Sequence, residues 1–141
     1  MKKNASFTIA GLLWLGALAW GLRGADLYWD GGAGNGLWSS GLNWSTNQAP
    51  TVVDGVRFTN TYIEARVVDV DFVINGLAFD NASGRFEMTI NDGVTLTVSN
   101  YLRVGAAMKS NSAVRITGPG TLKMVGDIQV SGTNTGSLIV R

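Results

Sequence analysis

Three stretches of the chain overlay at a fixed spacing of 26 residues: Phe86-Glu87-Met88-Thr89-Ile90, Ser112-Ala113-Val114-Arg115-Ile116 and Leu138-Ile139-Val140-Arg141. The same step carries Leu96 and Val98 onto Leu122 and Met124, and Leu102 and Val104 onto Ile128 and Val130. Taken backwards, it sets Leu96 and Val98 on Val70 and Phe72, Met88 on Tyr62 and Ile90 on Glu64. Leu77 and Phe79 stand 25 residues before Leu102 and Val104, as if one turn had changed by a residue. A fixed period between about 20 and 50 residues constrains a chain to a solenoid or an array, because one unit is too small to bury its apolar face alone.

Inside a unit, apolar and polar residues alternate: Phe86, Met88, Ile90; then Leu96, Val98; then Leu102, Val104. Alternation at period two marks half-buried strands, whose successive side chains point to opposite faces. Asn91-Asp92-Gly93, Ser99-Asn100 and Gly105-Ala106 fall between the runs, and Asn, Asp and Gly favour turns because they tolerate positive φ or bond nearby backbone. Three strands and three turns describe one triangular coil, stacked on the next at about 4.8 Å through parallel ladders. A coil buries about six or seven apolar side chains at roughly 1.5–3 kcal/mol each. Backbone entropy opposes this by roughly 1–2 kcal/mol for every residue ordered, so at least about three coils must stack. An antiparallel sandwich also shows short strands punctuated about every 8–12 residues; the in-register spacing favours the solenoid.

The chain has 141 residues, room for one domain. Its 11 basic and 10 acidic side chains make no field strong enough to recruit nucleic acid, and no basic patch is interleaved with aromatics. There is no Cys and no His, which excludes thiol nucleophiles, Ser-His-Asp triads, disulfides and the usual zinc ligands together. No cofactor or metal is expected. The 19 glycines suit a turn-rich all-β protein.

Residues 1–24 read as a secretory signal peptide: Lys2 and Lys3 make a basic start, Phe7 to Trp20 an apolar run, and small residues follow. Cleavage is expected after Gly21 or Gly24. An uncleaved anchor helix is the other reading, but it usually needs about 20 apolar residues. Removing residues 1–24 takes Lys2, Lys3 and Arg23 and no acid, so the formal net charge falls from +1 to −2. The product would be exported, extracellular or at the cell surface, with a periplasmic location open and no membrane span after signal removal.

Residues 25–58 form a Trp/Gly-rich segment and a leading strand, with Trp29, Trp38 and Trp44 among Gly, Ser and Asn. The simplest role is an N-terminal cap over the exposed core and unpaired edges of the first coil. The alternative is a glycan platform, with the three indoles stacking on sugar rings. Residues 59–141 carry the repeats. Leu138-Ile139-Val140-Arg141 overlays the first strand of a further coil, so the repeats are expected to continue beyond Arg141, or else the apolar edge is covered by another molecule, with edge-to-edge self-association open.

Tyr28-Trp29-Asp30, Trp38, Asn43-Trp44 and Ala49-Pro50, then Asn75-Gly76-Leu77-Ala78-Phe79-Asp80-Asn81-Ala82 and Gly118-Pro119-Gly120-Thr121-Leu122, resemble bacterial proteins bearing autotransporter-associated β-strand repeats over residues 26–125. The resemblance implies a secreted or cell-surface passenger folded as a right-handed parallel β-helix, serving as a stalk, adhesin or export scaffold. The chain departs from that pattern in carrying no C-terminal β-barrel, which needs at least about eight strands of roughly ten residues. The family supplies no catalytic residues to carry over.

Asp69 and Asp71 flank Val70 and project from one strand face. Paired carboxylates could hold calcium or cleave polysaccharide, with Arg66 the nearest cation, and two residues along a strand span roughly 6.6 Å; a solvated face is the plainer reading. Asn91-Asp92-Gly93 lacks the repeated pattern of calcium-binding β-rolls. Gly31-Gly32-Ala33-Gly34-Asn35-Gly36 lacks the Lys-Ser/Thr ending of a phosphate loop. The expectation is an all-β solenoid of about three coils with a Trp-rich cap, acting as a non-catalytic structural or adhesive scaffold of a larger surface or autotransporter-like protein. A module binding extracellular glycan or cell-surface components is the alternative, and a polysaccharide-degrading enzyme using Asp69 and Asp71 is the third reading.

Overall fold

The computed structural model describes residues 24–59, 66–80, 85–105, 113–130 and 137–141. The signal-peptide expectation, apart from Gly24, lies outside those residues, as do Tyr62 and Glu64. Ten strands run β1 (Asp26–Tyr28), β2 (Gly55–Phe58), β3 (Val67–Val68), β4 (Phe72–Phe79), β5 (Arg85–Ile90), β6 (Thr95–Val104), β7 (Ala113–Thr117), β8 (Thr121–Met124), β9 (Asp127–Val130) and β10 (Ser137–Val140) among the described residues. All their ladders are parallel. Among the described residues no helix is long and apolar enough to cross a membrane.

The chain is a β-solenoid with three ladders. The first runs β3, β5, β7, β10. The second joins the first halves of β4 and β6 to β8, and the third joins β1, β2, the second halves of β4 and β6, and β9. The corner between the second and third is visible as a register shift between Ile74 and Gly76. The third ladder passes from β1 to β9 through four inter-coil steps, so the solenoid makes about four turns.

Parallel pairing stacks like on like. Val56, Leu77 and Leu102 form one buried column, Phe58, Phe79 and Val104 the next. Between each inward pair stands an outward residue such as Arg57, Ala78 or Arg103, which produces the alternation seen in the sequence. Phe58, Phe79 and Phe86 meet at ring separations of 4.7–5.5 Å in the core.

The register differs from the 26-residue overlay in places. Leu96 with Leu122, Leu102 with Ile128 and Leu77 with Leu102 pair as the spacing indicated. On the first ladder, however, Phe86 pairs with Val114 and Val114 with Leu138, steps of 28 and 24 residues. Leu96 pairs with Phe72, not Val70, and Ile90 with Val68. Val70 is instead 46% exposed. Every correction is an even number of residues. Alternation is blind to even slips, since they return the same face to the core; loop lengths between strands absorb the difference.

Candidate functional site

The Trp-rich segment closes one end of the core. Leu37 bridges Val67 as the first rung of the first ladder, and Trp29 bridges Trp44. The Trp44 ring meets Trp29 at 4.9 Å and Trp38 at 5.2 Å, both edge-on, and Trp38 reaches Phe58 and Phe72 at 5.9 and 5.7 Å. Edge-to-face contact suits the aromatic quadrupole. The indole N–H of Trp44 donates to the carbonyl of Trp38 at 2.9 Å.

Trp29, Trp38 and Trp44 are 1%, 0% and 0% exposed. A stacking platform needs an open ring face, and none of the three presents one. The glycan-platform expectation for these residues is therefore corrected: they are the plug of the solenoid, because the first coil's apolar floor draws large rings inward.

Asn43 holds the plug together. It is fully buried, accepts the Ala33 N–H at 2.9 Å, and donates to Asn35 Oδ1 at 2.7 Å and the Leu37 carbonyl at 2.9 Å. Its own carbonyl takes the N–H groups of Asp30 and Gly31. Asp54 does the same for the next corner, accepting the N–H of Ala25 at 3.0 Å, and the N–H and hydroxyl of Thr51 at 2.8 and 2.6 Å. Burial raises the Asp54 pKa, but the Thr51 and Ala25 hydrogen bonds outweigh it and hold the carboxyl below its ordinary value. Asn43 appeared in the sequence only as part of the Asn43-Trp44 motif and Asp54 not as a site residue, because the loop folding that brings Ala33, Asn35 and Leu37 to Asn43, and the coiling that brings Ala25 to Asp54, are tertiary.

Asp69 and Asp71 are placed apart in function. Asp69 accepts the N–H and the hydroxyl of Ser39 in the plug; Asp71 accepts the Thr95 N–H at 2.7 Å one coil on. Both lie in the connection between β3 and β4 rather than on one strand face, and each ties that connection to a different neighbour. Arg66 turns inward, 2% exposed, with its guanidinium 4.2 Å from the Phe86 ring centroid and 5.5 Å from that of Phe58. The three do not converge on a cleft, so the expectation of a carboxylate pair served by Arg66 is corrected. Among the described residues no three acidic side chains gather as a metal site would require.

Outside the third ladder, charges alternate along the stack. Arg57 Nε lies 3.4 Å from Asp26 and its Nη1 3.8 Å from Asp80, while Arg103 Nη2 reaches Asp80 at 3.0 Å. Burial disfavours the Arg57 cation, yet Asp26, Tyr28 and Asp80 together keep its pKa raised. This is a self-compensated lattice that stiffens the face.

The opposite end of the solenoid is open among the described residues. Ile128 and Val130 continue the columns of Leu102 and Val104, which are fully buried, yet are themselves 55% and 53% exposed. Val140 is 54% exposed, and Leu122, Met124 and Leu138 are only partly buried. Among the described residues β8, β9 and β10 each pair on one side only. Core-type side chains and unsatisfied strand edges coincide here. This is the candidate interaction site.

Compared with known protein families, with curated proteins and with solved structures, the chain matches none.

Proposed function

We propose that the chain is a non-catalytic structural module of a secreted or cell-surface protein, a plugged β-solenoid whose coil stack is extended beyond Ile128, Val130 and Val140 by further strands, of the same polypeptide or of another. The observation that carries this reading is the asymmetry of the two ends. One is sealed by three buried indoles; the other leaves Ile128, Val130 and Val140 more than half exposed on strands that, among the described residues, pair on one side only. Exposed edges of this kind are templates for further strands. Its acids also support the reading: Asp54, Asp69 and Asp71 are engaged in bonds that hold coils together. The exported, passenger-like role agrees with the β-strand repeat proteins that the sequence motifs resemble.

The test is protease shaving of intact producing cells combined with fractionation. A chain that is digested on whole cells, and that is lost from the surface fraction when Ile128 and Val130 are both replaced by Lys, is the expected result. A chain confined to the cytosol, or one whose surface retention ignores the two substitutions, refutes the proposal.

A further inference from the structure

We infer that the outer face of the third ladder is a binding surface for a neutral saccharide, centred on Tyr101 and Asp26. It is separate from the buried indoles of the plug and from the open end.

Parallel pairing lines up two outward columns on this ladder. One runs Asp26, Gly55, Gly76, Tyr101 and Asp127; the other carries Tyr28, Arg57, Ala78 and Arg103. The two glycines leave the first column bare, and Tyr101 lies down in the space. A Cβ at Gly76 would fall 2.3 and 2.5 Å from the Tyr101 ring carbons Cζ and Cε1, and a Cβ at Gly55 would fall 3.2 Å from its hydroxyl. Gly55 is two rungs from Tyr101, about 10 Å at the interstrand spacing, so the side chain must run along the ladder to reach it. The phenol is thus bedded on Gly76. It is half-buried, and among the described residues no other aromatic ring packs on it.

Asp26 arrives at the same place from the other direction. Its Oδ1 lies 2.8 Å from the position a Gly55 Cβ would take, while Arg57 Nε pairs with Oδ2 at 3.4 Å. The Tyr101 hydroxyl and Asp26 Oδ1 therefore stand together over Gly55, a donor beside an acceptor. A saccharide hydroxyl answers both at once, since it donates and accepts. The C–H groups of the sugar ring suit the phenol beside it, an apolar body with a polar tip.

Charge decides which saccharide. Arg57 and Arg103 are held by Asp26 and Asp80 at 3.0–3.8 Å, and Asp127 follows Tyr101 in its column. Three carboxylates against two guanidiniums leave no cation to spare for a sulfate or a uronate. A neutral, hydroxyl-rich ligand loses nothing to that balance. The site is a face rather than a cleft, so a dissociation constant of about 0.1–10 mM is expected.

Saturation-transfer NMR on the 141-residue chain tests this with cellohexaose, xylohexaose and maltohexaose, and with hexagalacturonate as the anionic probe. Saturation should pass to the ring C–H protons of at least one neutral hexamer and not to hexagalacturonate. Tyr101→Ala should abolish it. Tyr101→Phe keeps the ring and loses the donor, and should weaken binding about tenfold, the value of one hydrogen bond. Gly76→Ala leaves every polar group in place; its Cβ lifts the phenol off its bed and should weaken binding as well. Thr97→Ala, on the second ladder, should change nothing. Circular dichroism of each variant checks that the solenoid is retained, and if Tyr101→Ala does not fold, Tyr101→Phe and Gly76→Ala decide. No transfer to any of the three neutral hexamers, equal transfer to hexagalacturonate, or binding that ignores the Tyr101 and Gly76 substitutions overturns the inference. Surface exposure of the chain is read separately by shaving, so either result can fail without the other.

Discussion

Replacing Asn43 with Ala should unseat the plug. The side chain is fully buried and makes three hydrogen bonds: from Ala33 N–H, and to Asn35 Oδ1 and the Leu37 carbonyl. Asn35 is exposed and can turn to water, so its loss is small. The Ala33 N–H and the Leu37 carbonyl are half-buried main-chain groups in a packed loop, each costing about 1–3 kcal/mol when left unsatisfied. The expected destabilisation is therefore about 3 kcal/mol. Urea unfolding followed by circular dichroism reads it as a lower midpoint, and thermal unfolding as a fall of roughly 10 °C. Asn43→Asp sharpens the test. A carboxylate keeps the bond from Ala33 N–H but turns both amide donors into acceptors that face oxygens. Its pKa in the folded state must rise, so this variant is most stable when protonated and loses stability as pH climbs through the raised value. It should approach Asn43→Ala at neutral pH and recover in acid. If Asn43→Ala costs under about 1 kcal/mol, or if Asn43→Asp shows no recovery, Asn43 is not the hub of the plug.

Three further outcomes follow from the geometry. The depressed Asp54 pKa makes its contribution present above the unfolded carboxylate value of about 4 and lost as pH falls through the lower folded value; the gap in urea midpoint between wild type and Asp54→Asn should accordingly close in acid. Asp69→Asn and Asp71→Asn should destabilise independently, their effects adding within about 0.5 kcal/mol in a double-mutant cycle, because their partners are Ser39 and Thr95 rather than each other. A coupling well above that value would restore them as a pair. Gly126→Ala should lower the melting temperature more than Gly76→Ala. At Gly126 an added Cβ falls 1.8 Å from the Asn100 carbonyl oxygen, which is backbone, whereas at Gly76 it meets the Tyr101 ring, which can swing aside. Equal melting temperatures would contradict the close approach of Asn100.

Period-two alternation and a near-constant repeat determined by themselves that this chain coils into a parallel β-solenoid, since only neighbouring coils can bury what each unit exposes. They also placed Leu96 over Leu122 and Leu102 over Ile128. Alternation could not separate a step of 26 from one of 28 or 24, so the pairing of Phe86 with Val114 came from the tertiary structure. The three tryptophans were legible as a cluster and as a cap, but a sequence does not say which side of an indole meets protein; their burial decided against a sugar platform. The structural roles of Asn43 and Asp54 were not legible, because they depend on groups that only the folded loop and coil bring together, Ala33, Asn35 and Leu37 around Asn43 and Ala25, 29 residues away, at Asp54. The open end lies between these cases. Its apolar residues are written in the repeat, yet Ile128 and Leu102 look alike in sequence, and only stacking, which covers Leu102 and leaves Ile128 more than half exposed, tells the two apart.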